Sequence, residues 1–232
     1  MIYLYTGTPG SGKSYHALND IYSRLLKGSR VLANFPINCS EKNILKGAGE
    51  FYYLSNNYLV PETLYKFAEK YHVAGKEGQS LVVIDEAQTV FNSRTYQQKG
   101  QKEWAEFMQT HRHYGYNLIL ICQNDRMIDR QIRVLAEVEV KHRKVNNFAW
   151  FIPWPVFMHV KNWYGANRVK IGQGFTVFSK RKAMLYDSFI KFDNLRANEV
   201  GVALPGSLTQ LAREEQKKKQ SKKLWRKLLK LN

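Results

Sequence analysis

The sequence predicts an α/β domain with a mainly parallel sheet flanked by helices. Three observations carry this expectation. A short apolar run at the N-terminus leads into a glycine-rich loop and then into residues spaced as a helix. Two later runs, 80–84 and 117–122, are dominated by apolar residues, as strands buried on both faces are. Strand-like and helix-like segments alternate along this part of the chain.

Met1 to Tyr5 is apolar and aromatic, and Lys13 to Leu26 places Ala17, Ile21, Leu25 and Leu26 on one helix face. Arg30 to Phe35 reads as a second strand, closed by Pro36. Pro61 opens a helix through Leu64, Phe67 and Tyr71, because proline at the first helical position lacks only an N–H that would have no helical partner. Ser80 to Ile84 is a buried strand, Trp104 to His113 a polar-faced helix, and Asn117 to Cys122 another buried strand ending in Gln123 and Asn124. From about Leu135 the pattern shortens into alternating strands. Val138, Val140, Val145, Phe148 and Trp150 form one group, and Val169, Ile171, Phe175, Val177 and Phe178 around Gly172 and Gly174 form another. The expected organisation is a domain over 1–195 with a β-rich extension from about 135, a linker over 196–212, and a basic amphipathic tail over 213–232.

A chain of 232 residues with 44% hydrophobic and 13% aromatic content can bury one substantial core. Its formal charge of +17 points to a polyanionic neighbour, either DNA or an anionic membrane face. Cys39 and Cys122 fit no metal spacing, and Cys122 sits in an apolar run where it reads as a small core residue in a reducing compartment. No secretory signal pattern opens the chain. The longest apolar stretch, 148–160, contains Pro153 and Pro155 and falls short of the roughly 20 residues a spanning helix needs, so no transmembrane helix is expected.

The run Gly7-Thr8-Pro9-Gly10-Ser11-Gly12-Lys13-Ser14 has the spacing of a phosphate-binding loop. Its glycines let backbone N–H groups curl around phosphates, and the helix starting near Lys13 aims its positive end at them. Lys13 adds a full charge at the β and γ phosphates, Ser14 offers a hydroxyl to Mg²⁺, and Tyr15 completes the candidate nucleotide-binding set. Asp85 and Glu86 follow the apolar strand 81–84, and a carboxylate at the C-terminal edge of such a strand lies where ligands sit in open α/β sheets. Asp85 is placed to hold Mg²⁺ through water, and Glu86 to polarise the attacking water. Gln123 reaches the γ-phosphate or that water if its strand lies between the other two. That order defines the additional-strand, catalytic-glutamate class of P-loop NTPases.

The loop Gly7–Ser14, Ile84-Asp85-Glu86, and His111-Arg112-His113-Tyr114-Gly115 with Leu118-Ile-Leu-Ile-Cys-Gln123 resemble the zonular occludens toxin (Zot-like) family. The resemblance extends over roughly Met1 to Ile190, including 128–133 and 186–188, and its most specific part is the 111–115 segment. These proteins are similar to the gene I assembly proteins of filamentous phages. The resemblance implies an inner-membrane ATPase that extrudes phage single-stranded DNA as coat proteins assemble around it; the loop and the acidic pair make ATP and Mg²⁺ the expected cofactors, and a homo-oligomer is the expected assembly. The resemblance also implies a place in the host cytoplasm at the cytoplasmic face of the inner membrane. The chain's ending resembles the basic amphipathic segment that precedes the membrane span in such proteins.

Several residues remain open to two readings. His111 and His113, two apart on a helix, face different ways and have no completing ligand. Arg112, Arg130 or Arg133 would complete a neighbouring subunit's site as an arginine finger, and each also reads as a solvated or ion-paired arginine. Trp150, Trp154, Trp163 and Tyr164, interleaved with Lys161, Arg168 and Lys170, suit base stacking and phosphate binding, or simply edge-strand packing. In the tail, Leu224, Trp225, Leu228 and Leu229 form an apolar stripe opposite Arg226, Lys227 and Lys230, the pattern of an interfacial helix making peripheral membrane contact.

A DNA-translocating or packaging motor without a coat-protein role is the alternative within the same class. A non-enzymatic basic DNA-binding or membrane-adaptor module is the alternative outside it. A kinase has no use for a water-activating Glu86, and no Asn-Lys-x-Asp base-reading motif marks a GTPase.

Overall fold

The computed structural model describes residues 1–91, 100–145, 155–165, 168–186 and 206–228. Eight strands form one sheet: β1 (Ile2–Thr6), β2 (Arg30–Ala33), β3 (Glu50–Tyr53), β4 (Ser80–Ile84), β5 (Tyr116–Ile121), β6 (Val138–Lys144), β7 (Val156–Trp163) and β8 (Lys170–Val177). Their order is β3-β2-β4-β5-β1-β6-β7-β8. The first six are mutually parallel, and β7 and β8 extend the sheet antiparallel. The parallel set therefore includes β6, the first strand of the β-rich extension. Phe148, Trp150 and Trp154 lie outside the described residues.

β4 is buried at all five positions because helices cover both of its faces. On one face packs α1 (Lys13–Leu26), through Ala17, Leu18, Ile21 and Leu25. On the other lie α3 (Pro61–Tyr71) and α4 (Gln101–Thr110), through Leu64, Phe67, Trp104, Phe107 and Met108. Each large apolar side chain so buried contributes about 1.5–3 kcal/mol. Pro61 stands at the start of α3, as the missing N–H requires. α4 stops at Thr110, so His111, Arg112 and His113 belong to the turn before β5 rather than to the helix.

Sequence periodicity leaves out the short elements. β3 has only four residues, and α2 (Lys42–Lys46) and α5 (Arg130–Val134) have five each, too few to show a period. α6 (Lys180–Ala183) is shorter still. The last helix, α7 (Leu208–Leu228), begins inside the segment expected to be a linker. Its root is docked: Phe51 N donates to Thr209 Oγ1 at 3.2 Å, and Ser207 bridges Tyr52 of β3. The Arg213 guanidinium donates to the carbonyls of Leu45, Gly47 and Gly49 at 3.2, 2.6 and 2.8 Å. Among the described residues no helix is long and apolar enough to cross a membrane.

Candidate nucleotide site

β5 lies between β4 and β1, so the strands ending in Gln123, in Asp85-Glu86 and in the glycine loop finish side by side at one edge of the sheet. Gly7 N donates to Gln123 O at 3.3 Å, which seats the main chain of Gln123 against the start of the loop. Gly7 (φ 145°) and Gly12 (φ 90°) occupy backbone conformations that side chains rarely adopt. A Cβ on Gly7 would also lie 2.6 Å from His142 O, and one on Gly12 would lie 2.5 Å from the Phe157 ring. Thr8, Pro9 and Gly10 form the exposed rim of the loop, and Ser11 is buried beneath it.

Lys13 Nζ donates to the Gly7 and Thr8 carbonyls at 2.8 and 3.1 Å, folding its charge over the loop. Burial lowers its pKa against the opposing pull of Asp85 and Glu86. Ser14 Oγ donates to Asp85 Oδ2 at 3.0 Å. The two residues expected to hold Mg²⁺ are thus adjacent oxygen donors beside a loop built for phosphates, a hard-ligand set that fits this ion. Burial raises the Asp85 pKa, offset in part by hydrogen bonds from Glu86 N–H and Ser14.

Glu86 takes a left-handed backbone conformation (φ 48°, ψ 49°), uncommon for a residue with a side chain and of the kind that collects at functional sites. Its amide donates to Asp85 Oδ1 at 2.9 Å, and its carboxylate accepts from Gln88. A network that sequence reasoning missed fixes this turn. Asn34 accepts from Asp85 N at 2.7 Å and donates to Asp85 O at 2.9 Å, and it donates to Asn56 Oδ1 at 2.9 Å. Asn56 continues to Thr89 Oγ1 at 3.3 Å, and Thr89 donates to Glu86 O at 2.9 Å. The available signal was an asparagine just past a parallel strand, on the ligand side of the sheet. Tyr186 stands close enough for both carboxylates to contribute to its raised pKa, after burial, and it packs on Phe35 at 5.5 Å.

Two expected site residues are engaged elsewhere. Tyr15 donates to Val177 O at 3.3 Å and accepts from Ser179 N at 2.7 Å, while its ring packs on Phe157 and Phe178, so it ties α1 to the end of β8. Arg112 pairs with Glu137. Glu137 bonds Ile2 at the opposite end of β1, so the chain's own Arg112 is not brought to the loop. Arg133 donates to Asp125 O at 3.3 Å, and Arg130 is exposed.

Behind the loop lies a second group outside the sequence reading. His142 Nδ1 faces Thr6 O at 3.2 Å, its Nε2 faces His16 Nδ1 at 2.8 Å, and His159 stacks on His16 at 4.2 Å. Since Thr6 O can only accept, His142 carries its proton on Nδ1 and His16 donates to it. Cys122 is buried, which pushes its thiol up to about 12, as a core residue.

A family model described as zonular occludens toxin (Zot) matches residues 1–153. The gene 1 protein of Escherichia phage If1 is 26% identical over 151 residues, covering 62% of this chain and 42% of that protein. A Pseudomonas phage Pf3 protein, provisionally named assembly protein ORF301, is 31% identical over 142 residues, covering 60% and 42%. The matched part thus spans about two-fifths of the length of these relatives. The solved N-terminal domain of zonular occludens toxin from Neisseria meningitidis aligns with TM-score 0.50 at 20% identity, covering 80% of this chain and 98% of that domain. A second solved structure, an ATPase domain, aligns with TM-score 0.51 at 10% identity, covering 78% and 82%. At such identities these two likenesses speak for the fold alone, that of a P-loop NTPase with a mostly parallel sheet.

Proposed function

Because the chain belongs to the zonular occludens toxin family, we propose that it is an ATP-hydrolysing motor of filamentous-phage assembly, coupling hydrolysis to export of coated single-stranded DNA. The relatives among phage gene 1 proteins support the setting. The observation that carries the chemistry is the Ser14–Asp85 contact of 3.0 Å, with Glu86 next in the chain in a left-handed turn.

The loop N–H groups and Lys13 bind and orient the phosphates. Ser14 and Asp85 are the residues that would hold Mg²⁺, which supplies charge stabilisation at the β and γ phosphates. Glu86 accepts a proton from the attacking water, and Gln123 orients the γ-phosphate at the end of β5. Turnover is slow in a single copy because a homo-oligomer completes the site, with Arg130 better exposed for that duty than the ion-paired Arg112. Coat proteins and single-stranded DNA are the partners. The basic tail meets the cytoplasmic face of the host inner membrane, directly or through an anchored partner.

Phosphate release and fluorescent-nucleotide titration test the site together. Lys13→Ala is expected to weaken nucleotide binding, whereas Glu86→Gln keeps binding and abolishes turnover. Equal hydrolysis by the wild type and Glu86→Gln would remove Glu86 as the base.

A further inference from the structure

We propose that a groove running from the phosphate loop along β6 to Arg168, between β7 and β8, holds the backbone of a single-stranded nucleic acid, with a base stacked on Trp163. The inference deepens, and rests on, the reading of this chain as a motor acting on single-stranded DNA. It locates a direct contact that the reading itself does not require.

The groove, of about 460 Å³, opens beside Gly7 and Thr8 and is walled by Lys141, Arg143, Lys144 and Arg168. Two carboxylates share it. Glu139, only 2% exposed, lies 3.5 Å from Lys141 Nζ and 3.6 Å from Arg168 Nη1. Asp125 accepts from Arg168 at 2.8 Å. Four cations against two carboxylates leave an excess of positive charge, and Arg143 and Lys144 have no ion pair among the described residues. The acidic groups act as anchors: they hold Lys141 and Arg168 in place and leave the outer cations to a polyanion.

Arg168 is the most constrained of the four. Its backbone is left-handed (φ 41°), its guanidinium bonds Asp125, and it lies 4.9 Å over the Tyr164 ring. Tyr164 lines a second hollow of about 510 Å³ together with Trp163, so the Arg168–Tyr164 stack stands between the two hollows. Trp163 is 48% exposed, so edge-strand packing does not account for it. A cationic track that ends on an exposed aromatic ring is the arrangement by which proteins hold single strands without reading sequence. An acidic peptide or a lipid headgroup would leave the aromatic platform idle.

The test uses the full chain, without nucleotide, and the fluorescence anisotropy of a labelled oligo(dT) over a series of KCl concentrations. Each phosphate contact contributes about 0.7 to the slope of log K against log salt for single strands, so Arg143→Glu with Lys144→Glu should flatten it by about 1.4. The same pair should lower affinity at least about tenfold. Trp163→Ala should weaken binding by about fivefold or more and leave the slope unchanged. Arg143→Gln with Lys144→Gln serves as the milder pair and should flatten the slope in the same sense. A full chain with Lys217→Gln, Lys218→Gln and Lys222→Gln should keep the slope contribution of the groove.

Wild-type affinity and slope in the groove variants would overturn the proposal, as would loss of binding confined to the tail variant. Groove variants that lose anionic vesicles but keep oligo(dT) would give the surface to lipid. Variants that lose only nucleotide affinity would give it to the ATP site. A chain that binds oligo(dT) through the groove yet hydrolyses no ATP would sink the motor reading alone.

Discussion

Asn34 lies far from the loop in sequence, yet it holds the peptide that carries the acidic pair, which makes Asn34→Ala the most informative single change. The substitution removes one donor and one acceptor from the Asp85 peptide, at 2.9 and 2.7 Å, along with the link to Asn56. An ordinary hydrogen bond contributes about 0.5–1.5 kcal/mol net, and a buried donor left unpaired costs about 1–3 kcal/mol, so the expected destabilisation is about 2–3 kcal/mol. For a chain of this size that lowers Tm by about 4–12 °C. The effect on chemistry is larger, because Glu86 is held in a left-handed turn by this network and relaxes once Asp85 is free. Misplacing a reacting group by about 1 Å costs on the order of 100-fold, so kcat should fall about 10- to 100-fold. Nucleotide affinity should stay within about threefold, since Lys13 and the loop are untouched. Fluorescent-nucleotide titration and single-turnover hydrolysis, both run well below the lowered Tm, separate the two effects. An unchanged kcat beside a lowered Tm would reduce Asn34 to a strand-end tie. Equal losses of affinity and kcat would move it into nucleotide binding.

Two further expectations concern parts of the fold outside the nucleotide site. Burial first, and neighbouring positive charge second, pushes His16, His142 and His159 down to about 4, about 3 and about 4. The unfolded chain therefore takes up protons near the ordinary imidazole value of 6.5 that the folded chain refuses, and stability falls as pH drops from 6.5 toward 4. His159→Phe removes one of these groups, whose Nδ1 is buried without a partner, and should flatten the slope in urea unfolding between about pH 7 and 5. An unchanged slope would take His159 out of the account. Arg213→Ala strips three carbonyls of a charged donor, each such bond contributing about 1.5–3 kcal/mol, and should speed amide exchange over 207–213 while nucleotide binding stays intact. Unaltered exchange there would show that Thr209 and Ser207 suffice to moor α7.

The loop was legible in the sequence because its chemistry is local: eight consecutive residues carry the turn, the charge and the hydroxyl. Asp85 and Glu86 were legible because they end an apolar run at the edge where parallel sheets bind ligands. Asn34 and Asn56 acquire meaning only once β2 is known to pair with β4. His16 and His142 are 126 residues apart and meet because β6 pairs with β1. Glu139 reads as an ordinary strand glutamate until Thr6, Lys141 and Arg168 are seen around it. The docked root of α7 was hidden for a related reason. Arg213 and Thr209 engage main-chain groups of residues 45–51, and a main-chain group has no signature in the sequence.

Strand order also determines which part of the molecule responds to the loop. Gly12 faces the ring of Phe157 on β7, Gly7 lies over the carbonyl of His142 on β6, and Tyr15 is tied to the end of β8. A Cβ at either glycine would come within 2.6 Å of these neighbours, so the packing leaves little slack. Close-packed interiors transmit strain instead of absorbing it. On the other side, Gly7 is tied by a main-chain bond of 3.3 Å to Gln123, just past β5. A displacement of the loop is therefore resisted most by β6, β7 and the end of β8, and the first two of these carry Lys141, Arg143, Lys144 and Trp163. Chemistry at Glu86 and a strand held along the groove would share one mechanical element, with the loop between them.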